Sequence, residues 1–122
     1  MNPRIKKKWL EALRSGEYKQ TTETLRDENG FCCLGVLCDI HAKERGANWV
    51  KLIESYELYG EVQLLPLSVQ EWAGLDNDMG GVVDFEYESG GEIHLKADTL
   101  PEINDSWNKN FNEIADLIET QL

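Results

Sequence analysis

The stretch 31–41, FCCLGVLCDIH, decides how the rest of the chain is read. Cys32, Cys33, Leu34, Val36, Leu37, Cys38 and Ile40 leave no polar stripe, so neither a surface helix nor a half-exposed strand fits. Lys43, Glu44, Arg45 and Gly46 follow as a helix ending, and Asp27-Glu28-Asn29-Gly30 precedes as a turn. The segment therefore predicts a short strand near 30–33 that runs into a buried central helix over 33–45. Gly35 lowers helix propensity there, which makes sense if another backbone must come close.

Working outward toward the start, Asn2 is placed to cap a helix that opens at Pro3. Ile5, Trp9, Ala12 and Leu13 give it an apolar face, Lys6, Lys7 and Lys8 a solvated one, and Gly16 a stop. Residues 17–33 then form a loop and hairpin turning at 27–30. Toward the other end, Trp49, Val50, Leu52 and Ile53 suggest a short helical face, and Val62–Leu65 a brief strand. Pro66 opens a helix with Val69, Trp72 and Ala73 inward and Gly74 as its stop. Val83, Phe85 and Tyr87 alternate with acids, as Ile93, Leu95 and Ala97 alternate with polar residues, which predicts an antiparallel hairpin with one buried and one acidic face. Thr99 with Glu102, and Asn110 with Glu113, have capping-box spacing. The last helix buries Phe111, Ile114, Ala115, Ile118 and Leu122. The expected fold is α+β, one domain over residues 1–122, with antiparallel hairpins against the central helix and its flanking helices.

Composition narrows function more than any motif does. With no long apolar run and no signal-peptide pattern, a cytoplasmic protein away from membranes is expected. Three cysteines, two adjacent, make no disulfide framework. Net charge is −11, but residues 1–20 carry six Lys/Arg against two Glu, while 76–105 carry nine acids and one base. Such a surface repels nucleic acid and suits a partner with a basic surface. The hairpin would present Asp84, Glu86, Glu88 and Glu92, with Asp76 and Asp78 on the loop before it.

Chemistry-bearing constellations are sparse. Cys33 and Cys38, five apart, point about 140° from each other on a helix, and no second ligand cluster exists, so no metal or other cofactor is expected. Cys32 or Cys33 at a helix start, with His41 or His94 as base, leaves thiol catalysis as a minority reading beside plain core packing. Arg14, Tyr18, Gln20 and Arg26 could form a pocket for a nucleotide, with Tyr18 stacking on the base and the arginines pairing phosphate. Loop anchoring by the same side chains is the competing account.

The stretches WLEALRSGEYKQ (9–20), GFCCLGVLCDI (30–40), LPLSVQEWAGL (65–75), LPEINDS (100–106) and FNEIADLIETQL (111–122) resemble a family of small proteins of tailed phages and prophages with a CCLGVLCD core. The sequence departs from that pattern at Trp107-Asn108-Lys109. The resemblance carries no catalytic residues to transfer. It implies an accessory protein that acts on the bacterial host, often by blocking antiviral defence through stoichiometric capture of a protein or a nucleotide signal.

Overall fold

The cysteine-rich segment does form the centre. In a computed structural model, which describes residues 1–75, 82–89, 92–105 and 109–122, the second helix (α2, Cys33–Arg45) buries Cys33 to Asp39, His41 and Ala42. The stretches 82–89 and 92–99, together with Glu102, are described by backbone alone. Gly35 faces the carbonyl of Leu25, and a Cβ built on it would sit 1.7 Å from that oxygen. No side chain fits there, which is the physical reason for a glycine in the first turns of the most buried helix.

Three helices pack against α2, and a fourth lies behind the first of them. The first (α1, Pro3–Arg14) is capped by Asn2, whose side-chain oxygen accepts the N–H groups of Arg4 and Ile5. It buries Ile5, Trp9 and Leu13, while Ala12 is half-buried. Trp9 donates its indole N–H to the Cys33 carbonyl at 2.9 Å, fixing α1 to the start of α2. A third helix (α3, Leu67–Ala73) follows Pro66 and ends at left-handed Gly74. Its last carbonyl, on Ala73, accepts the Asn2 N–H at 2.8 Å. The final helix (α5, Phe111–Gln121) opens with a complete Asn110–Glu113 capping box, packs beside α1, and buries Phe111, Ile114, Ala115 and Ile118. Between them, α4 spans Leu100–Asp105.

The β structure differs from expectation in four places. Residues 30–33 form no strand; Phe31 alone bridges Gln20 on one side and Arg26 on the other, and Cys32 already caps α2. Asp27 closes the reversal by accepting the N–H groups of Asn29 and Gly30. Residues 49–53 are not helical: β1 (Val50–Lys51) pairs antiparallel with β2 (Tyr56–Glu57), and Ile53 is 95% exposed. With no core to face, that apolar run gains nothing from a helix, and the Leu52 N–H bonds Ser55 O to close a turn. Val62–Leu65 is no strand either. Here the chain turns at Tyr59-Gly60, both at positive φ between the bridged Leu58 and Glu61, a type I′ arrangement.

The fourth difference is register. β3 (Val82–Ser89) and β4 (Glu92–Thr99) pair antiparallel as expected, with β3 against α5 and β4 leading into α4. However, the ladder sets Phe85 opposite Lys96 and Glu86 opposite Leu95. Directly opposed positions share a face, so the apolar sets of the two strands fall out of phase. The anticipated division into one apolar and one acidic face does not follow from this pairing. The architecture is α+β, with five helices and two small antiparallel sheets among the described residues.

Candidate functional site

The four residues grouped from sequence as a nucleotide pocket are anchored at separate places. Arg14 pairs with Asp116 and Glu119, each at 2.7 Å, and so bridges α1 to α5. Gln20 donates its amide to Asn104 Oδ1 and to the Lys109 carbonyl, both at 2.8 Å. Arg26 lies over three rings, 4.1 Å from the centre of Tyr56, 5.0 Å from Phe31 and 5.6 Å from Trp49. Tyr18 meets Phe31 edge-on at 5.1 Å, so Tyr18 and Arg26 flank one ring, while Arg14 lies elsewhere. Each side chain already has partners from the chain itself.

Tyr18 points instead to a carboxylate that sequence reasoning passed over. Its hydroxyl donates to Asp39 Oδ2 at 2.6 Å, the Trp49 indole donates to Oδ1 at 3.1 Å, and Lys43 Nζ lies 3.1 Å from Oδ2. Burial alone would raise the Asp39 pKa, but hydrogen bonds from Tyr18, Lys43 and Trp49 outweigh it and hold the group below its ordinary value. Burial, then the bond to Asp39, pushes the Tyr18 phenol up to about 12. An acid inside an otherwise apolar helix was the available signal, since a buried carboxylate needs donors. Asn104 is a second missed hub. Its oxygen accepts from Gln20 and from the Cys33 N–H, and its amide donates to the Thr21 carbonyl and to Asp105.

The thiols are core groups in their surroundings. All three are buried and free. Cys32 caps α2 by accepting the Gly35 N–H at 3.4 Å, and burial pushes its pKa up to about 11. Burial raises Cys33 and Cys38 well above the ordinary thiol value as well. Thiolate, the nucleophilic form, is disfavoured at all three. His41 is turned away from them, toward Tyr59 and Trp72, while His94 belongs to β4, described by backbone alone. Among the described residues no three His, Cys, Asp or Glu side chains gather as metal ligands would.

Asp84, Glu86, Glu88 and Glu92 occupy β3 and the start of β4, where backbone alone is described, and Asp76 and Asp78 lie outside the described residues. The cations elsewhere are largely engaged. Arg4 and Lys8 both pair with Glu44, Lys109 pairs with Glu113, and Lys6 bonds the Glu119 carbonyl. No helix among the described residues is long and apolar enough to cross a membrane.

These features define a small acidic α+β domain with a buried central helix and three buried thiols. The chain belongs to the family described as a domain of unknown function, DUF8296, whose model matches residues 1–122. No curated protein and no solved structure matches it.

Proposed function

We propose that this is an accessory protein of phage or prophage origin that binds a host protein stoichiometrically and antagonises it, with bacterial antiviral defence as the target and the bacterial cytoplasm as the setting. The observation that carries the reading is how the charge is spent. Arg4, Lys8, Arg14, Lys43 and Lys109 are tied up in ion pairs within the domain, and Arg26 is stacked on aromatic rings. Such pairs use acids and bases alike, so the net charge of −11 still faces the surroundings, and 76–105, with nine acids and one base, holds the densest part of it. A surface of that sign speeds encounter with a basic protein face and rejects nucleic acid. The sequence resemblance to small phage proteins supplies the biological setting.

The test is affinity capture from host lysate with the intact protein, followed by elution in rising salt. Raising salt from about 0.1 M to about 1 M shortens the screening length from about 10 Å to about 3 Å. A basic host protein should be retained at the lower salt and released at the higher. Replacing Asp84, Glu86 and Glu88 together by their amides should abolish retention and the gain in phage growth on defended hosts. Co-purification of a tightly held nucleotide in place of a protein would defeat the reading. So would a failure of the intact protein to affect phage growth.

A further inference from the structure

His41 is 97% buried by its 3% exposure, yet it sits at the wall of a cleft of about 440 Å³ bordered by His41, Arg45, Tyr59, Ser68, Glu71 and Trp72. Its Nε2 lies 2.9 Å from the Tyr59 hydroxyl, while Nδ1 has no partner among the described residues. The indole N–H of Trp72, whose ring meets His41 edge-on at 4.8 Å, also has none among them. Two desolvated polar nitrogens therefore lie beside one cleft, each costing stability for want of a hydrogen bond. Tyr59 is held there at a φ of 52°, a conformation that a tyrosine adopts at a cost, and its residue is half exposed. Such a turn ordinarily carries Asn or Gly, so the tyrosine answers to its place over His41.

We infer that this cleft binds a carboxylate carried on a flat apolar group. Trp72 can only donate, so what it lacks is an acceptor. When the Tyr59 hydroxyl donates to Nε2, the ring proton of neutral His41 sits on Nδ1, and this makes a second donor without an acceptor. Burial, and then the nearby Arg45 charge, hold His41 below its ordinary pKa and so in the neutral form. Arg45 makes no ion pair among the described residues and supplies the opposite charge at the rim, with the Ser68 hydroxyl beside it. Glu71 opposes an anion. Glu44, which also acts on His41, is paired with Arg4 and Lys8, so a single carboxylate gains one guanidinium and two N–H donors against Glu71, and the rest of the negative charge is screened beyond about 8 Å. The aromatic walls suit a planar group edge-on. Both orphan nitrogens are closed off from water, so the wall of the cleft must open to admit the ligand.

Benzoate is the probe, followed by the histidine and indole ¹⁵N–¹H signals of the intact protein. Saturable shifts of the Trp72 indole and His41 ring signals are expected, with a Kd on the order of 1 mM for so small a ligand. Trp72→Phe, which keeps an apolar ring and removes the donor, should weaken binding about tenfold. Arg45→Gln, at an exposed position, should weaken it comparably and guards against a folding defect in the first variant. An acetylated peptide ending in a free C-terminal Phe separates the two sources of such a group. Tighter binding than benzoate identifies a protein terminus, and weaker binding a free small acid. Equal response to benzylammonium, no saturable shift with either acid, or unchanged affinity in both variants would each overturn the inference.

Discussion

Asp39 and His41 stand two residues apart on α2, both buried, on roughly opposite sides of the helix, and the protein treats them in opposite ways. Around Asp39 the chain brings a phenol, an indole and an ammonium from three different positions, and each oxygen has at least one donor. Around His41 it brings one hydroxyl and two rings, leaving a ring nitrogen and a neighbouring indole N–H unpaired among the described residues. A fully answered buried group fixes loops to a core. One left short of partners keeps a capacity to bind, and the comparison assigns the first side to architecture and the second to recognition.

The largest effect tests the platform that both sides share. Gly35→Ala would set a methyl 1.7 Å from the Leu25 carbonyl, so the loop or α2 must move. Backbone cannot yield as a flexible side-chain tip can, and the expected loss in urea unfolding is at least about 3 kcal/mol. A variant as stable as the parent would mean that the loop is not seated on α2, and the contrast between its two sides would lose its footing.

The next effect sharpens the contrast directly. Asp39→Ala strands the Tyr18 hydroxyl and the Trp49 indole, with an expected cost of about 2–3 kcal/mol for bonds to a charged acceptor. Trp49 fluorescence should shift as its ring loses its anchor. Asp39→Asn keeps one acceptor oxygen and should cost less. Equal losses for the two would show that charge, not hydrogen bonding, holds the cluster.

The two sides should also separate in pH. His41 has its folded pKa below the ordinary 6.5, so the unfolded chain takes up that proton first and stability falls as pH drops through about 6.5. Asp39 is depressed below 3.8, so its contribution is intact above that value and is lost as pH falls through its folded pKa. Exposed Glu44, held near 2 by hydrogen bonds from Arg4 and Lys8, belongs to the same lower window. A plot of urea midpoint against pH should therefore fall in two steps, and His41→Gln should remove the upper one alone. Persistence of that upper step in His41→Gln would assign it to another group.

How much of this was legible beforehand divides along the same line. Helices bounded by Asn2-Pro3, by Pro66 and Gly74, and by Asn110 with Glu113 were readable because their caps are local chemistry. Gly35 was readable because a helix-weakening residue in a buried run asks for a reason. What failed were features set by distant partners. Val50 and Ile53 looked like a helical face, yet no core faces them, so a short hairpin formed instead. In β3 and β4 each strand alternates correctly, but alternation within a strand does not fix the register between strands. The cluster drawn from Arg14, Tyr18, Gln20 and Arg26 relied on nearness in sequence, whereas their partners Asp116, Asp39, Asn104 and Tyr56 are far along the chain.

The smallest effects separate two arginines that sequence alone placed together. Arg26 sits on the Asp39 side, over Tyr56, Phe31 and Trp49, where half-buried rings attract its guanidinium. Arg26→Gln should cost about 1 kcal/mol, because glutamine cannot replace a cation over three ring faces. Arg14 belongs to neither side of α2. It is exposed, its pKa is raised by hydrogen bonds to Glu119 and Asp116, and water competes for all three groups. Surface pairs of this kind contribute little, so Arg14→Gln should leave the urea midpoint unchanged within error. The pair of variants, unfolded in parallel at low and high salt, makes the distinction. Salt should narrow any Arg14 effect and reduce the Arg26 loss less, since contacts over half-buried rings are screened less than exposed pairs. A larger loss at Arg14 than at Arg26 would place the decisive anchoring between α1 and α5 and demote the aromatic cluster beside Asp39 to a surface ornament.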